Sequence, residues 1–393
     1  MGVVLTRLWH SFCRLALPGG LVIVSLFICL IVLEIALRRW DEVPVFSTQN
    51  FVARPLDQVH NTGNEFDARV GWVTAPNLKA HDYLGQSFTT GQYGARMSST
   101  EIVPLQSGSI LMVGDSFAAG SEVGDADSWP AQLERLAGVN IVNAAVGGYG
   151  LDQIVLRAEM LVPLLKPRML LLQTRLEYGI SVGRMSVASG APKPYFTVRN
   201  GELALHNDPV PTVAPNLANI GWLRSIFGHS YFIKYVMTRL NLLQWWGDPG
   251  SNRFELTPDE AVQVGCLLMR RMAEIGTRNN IPVALILQYS GLEPMEQPLH
   301  WEHDRDRLLS CAHDQPLEVV DTLEALKSAY QNGDLASYQR LWMMQDHNRV
   351  YGHMSVEGNR LIATLIAKQL SSNFGNRAQN EMGQASTVSQ KSK

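Results

Sequence analysis

The chain has 393 residues, of which 46% are hydrophobic and 18% charged, enough for one large hydrophobic core or two modest ones. Its formal net charge of -3 and its scattered basic residues exclude a general nucleic-acid-binding protein. The sequence has no Cys-x-x-Cys motif and no zinc-ligand spacing, so we expect neither a structural metal nor a cofactor.

An apolar run near the N-terminus predicts a membrane anchor. Residues 21–37 read LVIVSLFICLIVLEIAL, and with 15–20 they reach the ~20 residues that span hydrocarbon. Glu34 lies near the end of the run, where a carboxylate can reach the interface. A buried helix and a cleaved signal peptide are the alternatives, but no Ala-x-Ala site follows the run. We expect an uncleaved transmembrane helix that contacts the lipid bilayer through residues 21–37.

The central part of the chain alternates between predicted strands and predicted helices. Short apolar runs typical of buried strands are followed by segments with helix signals, such as Pro130 in a first turn and Gly138 at an end. The predicted strands are 109–113, 139–146, 169–173, 282–288 and 317–321, and the predicted helices are 128–138, 151–166, 257–278 and 355–370. This alternation predicts an α/β fold, a three-layer α/β/α sandwich with a mainly parallel sheet. Ligands of such sheets bind beyond the carboxyl ends of the strands.

Residues 184–250 interrupt the alternation and are interpreted as an insertion. Within them Asn200-Gly201 predicts a β-hairpin, because this dipeptide suits a type I′ turn. The segment 220–246 is rich in apolar and aromatic residues. It is a lid, a partner surface or extra core, and we expect core.

These patterns divide the chain into four parts. Residues 1–40 are the predicted anchor, and 41–105, which lack long periodic runs, are a linker and irregular lead-in. The predicted α/β domain covers 106–372. The polar residues 373–393 show no periodicity and are predicted to be disordered.

Two of the four cysteines, Cys266 and Cys311, lie in the predicted α/β domain. They either form a disulfide in an oxidising compartment or remain unpaired thiols in the core. Spacing along the chain does not show whether two cysteines are close in space, so both alternatives stay open.

A serine follows the first predicted strand, at the start of a predicted helix. The sequence GDSFAAG over 114–120 puts the Ser116 hydroxyl at the edge of the sheet, where main-chain N–H groups point toward a developing anion. Ala118 excludes the G-x-S-x-G turn of α/β-hydrolases. A serine in this place is a nucleophile or a helix cap, and its position alone does not separate the two.

The turn resembles the first block of the SGNH/GDSL serine hydrolase family, whose nucleophile lies in a Gly-Asp-Ser turn after the first strand. The resemblance covers about residues 90–370, and the sequence YGAR at 93–96 is similar to the lead-in of membrane-linked members. It implies the flavodoxin-like SGNH fold and Ser116 as the catalytic nucleophile.

The sequence NAAVGGYG over 143–150 resembles the second block of the family, in which a glycine N–H binds the oxyanion. The resemblance implies an oxyanion hole formed by the N–H groups of Ser116 and Gly148. Gly147 is the neighbouring alternative.

The third block of the family ends in Gly-x-Asn, and its Asn side chain also binds the oxyanion. This chain has LQTRLEYG at 172–179, without an Asn. Tyr178 or Arg175 is the candidate replacement for that donor.

The sequence HMSVEGNRLIA, which begins at His353, resembles the last block and implies His353 as the general base. The family places an Asp two or three residues earlier, where this chain has Tyr351 and Val350. We expect a Ser–His dyad whose imidazole is oriented by a backbone carbonyl, with Asp346 as the candidate acid if the chain loops back. His347 is a weaker candidate base.

The resemblance implies a membrane-anchored hydrolase of carboxylic esters that acts on O-acetyl groups of envelope or secreted polysaccharide without a cofactor. Transfer of the acyl group to a sugar hydroxyl is compatible with the same chemistry. The missing Asn and Asp leave open a non-catalytic protein that binds a glycan or joins the envelope polysaccharide machinery as part of an export complex. By the same analogy we expect a single-pass protein of the bacterial inner membrane with a periplasmic domain.

Overall fold

The computed structural model describes residues 21–22, 24–41, 43–46, 63–83, 85–175, 192–210, 221–240, 242, 246, 256–296, 298–299, 301–345 and 350–374. The chain divides into two compact units. The larger unit comprises 56–213 with 253–393, and the smaller comprises 1–55 with 214–252. All predicted site residues belong to the larger unit.

The larger unit is built on a parallel β-sheet. Its described strands are β1 (Asn64–Asp67), β2 (Gly71–Thr74), β3 (His81–Tyr83), β4 (Gln86–Phe88), β5 (Ile110–Val113), β6 (Ile141–Asn143), β7 (Met169–Thr174), β8 (Tyr195–Arg199), β9 (Glu202–His206), β10 (Val283–Leu287), β11 (Glu318–Asp321), β12 (Trp342–Gln345) and β13 (Val350–Met354). Five of them form one sheet in the order β11-β10-β7-β5-β6, with every neighbouring pair parallel. This is the strand order of flavodoxin-like folds. The predicted α/β fold with a mainly parallel sheet is confirmed.

Helices cover both faces of this sheet. Those of the larger unit include Ser116–Ala119, Trp129–Ala137, Leu151–Leu165, Pro258–Asn279, Glu302–His313, Leu323–Asn332, Leu335–Gln339, Val356–Gln369 and Ser371–Phe374. Trp129–Ala137 packs against Val356–Gln369, whereas Pro258–Asn279 packs against Leu151–Leu165 and Glu302–His313. The chain moves in opposite directions along the sheet from β5 to β6 and from β6 to β7, so right-handed crossovers put these two groups on opposite faces. The strands β5, β7 and β10 between them are fully buried and form the core.

Local sequence signals determine several element ends. Thr257 starts the helix Pro258–Asn279 with a capping box, in which its hydroxyl accepts from the Glu260 N–H and the Glu260 carboxylate accepts from the Thr257 N–H. Asn200 and Gly201, with φ of 54° and 80°, form the turn between β8 and β9. Two successive positive φ angles are those of a type I′ turn, so the predicted hairpin is confirmed.

The predicted lead-in contains two β-hairpins, β1–β2 and β3–β4. Trp72 in β2 and Arg96 after the second hairpin are both buried. The Arg96 N–H donates to the Asn143 carbonyl at 2.7 Å, which joins this segment to the end of β6. The segment therefore packs against the carboxyl end of the parallel sheet.

In the smaller unit one helix covers 24–40, and two others are Gly221–Phe227 and Tyr231–Arg239. Glu34 accepts hydrogen bonds of 2.7 and 2.8 Å from the first two N–H groups of Tyr231–Arg239. It also pairs with Arg38 at 2.6 Å. This carboxylate thus caps a neighbouring helix of the same unit.

The predicted single-pass inner-membrane location is wrong, and the predicted transmembrane helix at residues 21–37, with its bilayer contact, is not supported. None of the helices that the structure describes combines the length and the apolar character needed to cross a membrane. The continuously described helix covers 24–40, and near its end Glu34 and Arg38 form a polar network with protein groups. The expected periplasmic domain was part of the same prediction of a single-pass membrane protein, which the described helices do not support.

The prediction of extra core in the segment 220–246 is wrong for its first helix. Gly221–Phe227 has no buried residue, and Trp222 and Ile226 are 71% and 61% exposed. In the next helix Tyr231 is buried, and its hydroxyl donates to Asp41 at 2.7 Å.

Cys266 and Cys311, whose pairing the sequence leaves open, form a disulfide with a Cα–Cα distance of 5.2 Å. It links the helices Pro258–Asn279 and Glu302–His313 and closes a loop with a sequence separation of 45 residues. In the chain-entropy model a loop of this size stabilises the folded state by about 4 kcal/mol. Residues 375–393 of the predicted disordered tail lie outside the described residues, and that prediction stays a prediction.

Candidate active site

The nucleophile turn, residues 114–122, leaves β5 at the carboxyl edge of the sheet. The Asp115 carboxylate accepts a hydrogen bond of 2.8 Å from the N–H two residues later and so caps the short helix that starts at Ser116. The Asp115 N–H donates to the side-chain oxygen of Gln173 at 3.0 Å. A Cβ on Gly114 would lie 2.5 Å from that oxygen, so this close approach requires glycine. These contacts hold Ser116 at the edge of the sheet.

His353 is distant from Ser116 in sequence but contacts it in the structure. Its Nε2 lies 2.8 Å from the Ser116 Oγ, which is hydrogen-bond distance. The imidazole ring also packs on Phe117, with ring centroids 5.0 Å apart. A base within hydrogen-bond reach of a hydroxyl can take its proton when the oxygen attacks a carbonyl carbon.

The histidine hairpin, β12–β13, positions His353 near the end of its second strand. Ser355 follows the strand, and its N–H donates to the Leu341 carbonyl at 2.9 Å. The Ser355 Oγ accepts from the Gly358 N–H at 3.2 Å and caps the helix Val356–Gln369. A paired strand that runs directly into a capped helix restricts the backbone on both sides of the histidine.

Glu122 is the functional candidate that sequence reasoning missed. The His353 N–H donates to Glu122 Oε2 at 2.8 Å, and the imidazole Nδ1 lies 3.4 Å from the same oxygen. The 3.4 Å contact is within ion-pair distance when the imidazole is protonated. Nδ1 makes no aligned hydrogen bond to a described residue. The other oxygen of Glu122 accepts from the Gln345 side-chain amide at 2.7 Å. A carboxylate therefore lies beside Nδ1, where we predict a backbone carbonyl from the sequence.

Gly352 makes room for this carboxylate. A Cβ at that position would lie 2.6 Å from Glu122 Oε2 and 2.8 Å from the Met343 carbonyl oxygen. Any larger residue would push the carboxylate or the strand away. The signal in the sequence was weak: Glu122 is the acidic residue of the nucleophile turn that does not cap its helix, and a glycine precedes the histidine.

The charge of Glu122 is set mainly by its neighbour. The side chain of His353 holds the pKa of Glu122 below its ordinary value of 4.5, whereas burial acts in the opposite direction. The His353 and Gln345 groups that donate to the carboxylate lower the pKa further. Glu122 is therefore ionised at neutral pH and can stabilise a protonated imidazole.

The positions where the family places its acid have other contacts. The Tyr351 ring packs with Tyr338 and Trp342, each at a centroid distance of 6.0 Å. Neither it nor the residue before it is acidic. Asp346 and His347 lie outside the described residues, so their roles stay predictions.

Two main-chain N–H groups are candidates for an oxyanion hole. Those of Ser116 and Gly148 make no hydrogen bond to another residue in the described parts of the chain. They follow β5 and β6, which are neighbouring parallel strands. The Trp72 indole N–H donates to the Gly147 carbonyl at 3.0 Å. Because C=O and N–H point in opposite directions in a trans peptide, this bond directs the Gly148 N–H away from Trp72.

The third strand places different groups where the family has its Asn. Tyr178 lies outside the described residues. Arg175 is buried, and its guanidinium lies 4.9 Å from the centroid of the Phe117 ring. Burial raises the pKa of Asp115, and the positive charge of Arg175 is the main effect that opposes the rise. Arg175 therefore lies beside the nucleophile turn, and its role as an oxyanion donor stays a prediction.

Together these residues contain the groups that acyl transfer to serine requires: a hydroxyl, a base, a carboxylate and main-chain N–H donors. Within the described ranges, no group of three or more His, Cys, Asp or Glu side chains is placed to hold a metal ion.

No family model matches the chain, and no curated protein matches it. Solved structures with some likeness include a member of the lipolytic G-D-S-L family from Veillonella parvula, with 13% identity, 66% of this chain and 96% of that chain covered, and a TM-score of 0.35. A lipase/acylhydrolase from Enterococcus faecalis has 14% identity, coverage of 67% and 96%, and a TM-score of 0.36. A catalytic mutant of an acetylxylan esterase from Geobacillus stearothermophilus has 12% identity, coverage of 68% and 96%, and a TM-score of 0.36. At these identities and TM-scores the likenesses do not establish the activity of this chain.

Proposed function

We propose that this protein is a serine hydrolase of carboxylic esters. The observation that carries the proposal is the hydrogen-bond distance of 2.8 Å between the Ser116 Oγ and the His353 Nε2, with the Glu122 carboxylate behind the imidazole. A helix-capping serine has no need of an imidazole at its hydroxyl, and here Asp115 performs the capping. The geometry thus favours the nucleophile over the structural interpretation of Ser116.

In the acylation step the Ser116 Oγ attacks the ester carbonyl carbon while His353 Nε2 takes the hydroxyl proton. The carbonyl oxygen becomes an oxyanion, and the N–H groups of Ser116 and Gly148 donate to it. The proton on His353 then passes to the leaving alcohol as the C–O bond of the ester breaks. Glu122 stabilises the imidazolium in the interval and keeps Nδ1 protonated.

Deacylation reverses these roles. A water molecule gives its proton to His353 as its oxygen attacks the acyl-serine, and the carboxylic acid leaves when the proton returns to the Ser116 oxygen. If a sugar hydroxyl replaces water, the same steps transfer the acyl group. Acetyl esters of saccharides are the substrates we would test first, since the sequence resemblance implies O-acetylated glycans.

The test compares wild type with Ser116→Ala on a chromogenic acetate ester and on acetylated oligosaccharides. We expect the variant to lose turnover by about 10³-fold or more, because no other group can form the acyl-enzyme. Ser310→Ala, an exposed serine on the helix Glu302–His313, is the matched control and is expected to keep full activity.

A serine-reactive phosphonate gives a second reading that does not depend on the choice of ester. It is expected to modify Ser116 in wild type and in the control, as mass spectrometry of the peptides would show. Equal acetate release by wild type and Ser116→Ala, together with an unmodified Ser116, would refute the hydrolase and favour a binding protein.

A further inference from the structure

Arg96, the last residue of the YGAR sequence, is a buried cation with contacts concentrated on the nucleophile turn. Its side chain is 1% exposed, and its guanidinium carbon lies 4.2 Å from the centroid of the Phe88 ring. Burial lowers the pKa of Arg96 to about 10, against the charge of Asp125, which raises it. The Arg96 side chain is therefore still cationic at neutral pH, and it is enclosed by other protein groups.

The guanidinium donates to main-chain carbonyls on both sides of Glu122. One nitrogen donates to the carbonyls of Ala119 and Gly120, the latter at 2.6 Å. The other nitrogen donates to the Val123 carbonyl at 2.7 Å. The first two carbonyls lie at the end of the short helix that starts at Ser116. The Gly120 carbonyl also accepts from the Val123 N–H at 3.2 Å, and the arginine adds a charged donor to both carbonyls.

Other residues fix the arginine itself. Its Nε lies 3.6 Å from the Asp125 carboxylate, which in turn accepts from the Thr89 N–H at 2.8 Å. Gly120 allows the approach, because a Cβ there would lie 2.7 Å from the Arg96 Nη1. Arg96 is thus fixed in position by its surroundings, and its hydrogen bonds in turn restrain the nucleophile turn.

We infer that Arg96 is a positioning residue. Its hydrogen bonds to the main-chain carbonyls around Glu122 place the Glu122 carboxylate against the His353 imidazole. The inference rests on the proposed function. The planar fork of arginine satisfies three carbonyls at once, and the single ammonium of lysine cannot reproduce that geometry. With the main chain fixed before and after Glu122, only its side-chain torsions remain free, and Gln345 restrains these at one oxygen.

The experiment is a double-mutant cycle of Arg96→Lys and Glu122→Gln. We expect Arg96→Lys to lower kcat by about tenfold with little change in KM, because a carboxylate displaced by a fraction of an ångström no longer orients the imidazole. In the Glu122→Gln background the same substitution should change kcat by less than about twofold, since the group it positions is gone.

A readout without substrate separates this inference from the proposed function. The ¹⁵N NMR spectrum of wild type should contain the imidazole signal of a protonated His353 Nδ1 beside a carboxylate, identified by its loss in His353→Gln. The signal should be absent in Glu122→Gln and weakened in Arg96→Lys. Loss of the signal in Arg96→Lys would uphold the positioning role even if wild type hydrolysed no ester.

Arg271→Lys is the matched control, because Arg271 pairs through two nitrogens with Glu159 on the helical layer, at 2.6 and 2.9 Å. It should keep both the signal and kcat. If Arg96→Lys does not fold, Asp125→Asn loosens the arginine with less disruption and should act in the same direction. An unchanged signal in the folded variant, or equal fold-losses of kcat in both backgrounds, would overturn the inference.

Discussion

The nucleophile turn and the histidine hairpin supply the two halves of the candidate site, and they differ in where their supporting contacts come from. Ser116 is placed by its neighbours in sequence: a strand before it, the cap Asp115 and the close-packed Gly114. His353 takes its acidic partner from Glu122, at a sequence separation of 231 residues. The first half is therefore recognisable from a few letters, whereas the second depends on tertiary structure. The histidine hairpin lacks an acid of its own, and the nucleophile turn supplies one from a distant part of the sequence.

Among the variants that test the difference between the two halves, removal of the Glu122 charge should have the largest effect. Glu122→Gln should lower kcat by about 10²-fold or more, because the imidazolium loses its counter-charge and its fixed orientation. Steady-state kinetics on an acetate ester would measure it. Glu101→Gln, on the exposed loop before β5, is the control and should be silent. A kcat close to that of wild type would mean that the histidine hairpin orients its imidazole without the carboxylate.

Placing the acid where the family has it should not help. Tyr351→Asp should destabilise the fold by about 2 kcal/mol in urea unfolding, because its ring leaves the aromatic contacts with Tyr338 and Trp342. We expect no gain of kcat when this change is added to Glu122→Gln. Restored activity in that double variant would show that the hairpin can carry its own acid, and the difference between the two regions would disappear.

Gly352→Ala tests, from the histidine hairpin, whether the position of the Glu122 carboxylate matters for kcat. Its new Cβ would crowd Glu122 Oε2 and the Met343 carbonyl, so the carboxylate or the strand must shift, and kcat should fall by about tenfold. Gly333 is similarly crowded, with a Cβ position 2.9 Å from the Ala329 carbonyl oxygen, but it lies on no element of the site. Gly333→Ala should therefore cost stability and leave kcat unchanged; equal losses of kcat would contradict the specific role of Gly352.

The smallest expected effect is on the pH dependence of stability. Because the pKa of Glu122 is lowered from 4.5 in the folded state, its ionised form stabilises the fold above that pH, and the contribution is lost as pH falls through the lowered value. Melting temperatures of wild type and Glu122→Gln should therefore converge as the solution becomes more acidic. A difference that stays constant, or that widens toward acid, would contradict the assigned contacts of the carboxylate.

Much of the fold could be predicted because its signals are local. The strand 109–113, the helix that starts at Thr257 and the Asn200-Gly201 turn each depend on neighbours within a few residues, and the structure contains all three elements. The alternation of strands and helices then leaves few topologies open.

What could not be predicted depends on packing between distant segments. No periodicity marks Glu122 as a neighbour of His353, and no motif shows that Arg96 or Trp72 in the lead-in would bond the turns after β5 and β6. The same limit applies to the apolar run at 21–37. Its composition carries no information about the hydrogen bonds that Glu34 accepts from a helix distant in sequence.

The order of the two halves along the chain has a consequence for biosynthesis. A ribosome has completed the whole parallel sheet, the nucleophile and its acid once it passes Asp321, yet the base is still to be translated. Since domains begin to fold from the N-terminal side as they emerge, a prematurely terminated chain can acquire the sheet and remain inert. Under the proposed function, ester cleavage requires a polypeptide that has been synthesised through the histidine hairpin, so activity would report full translation of the larger unit.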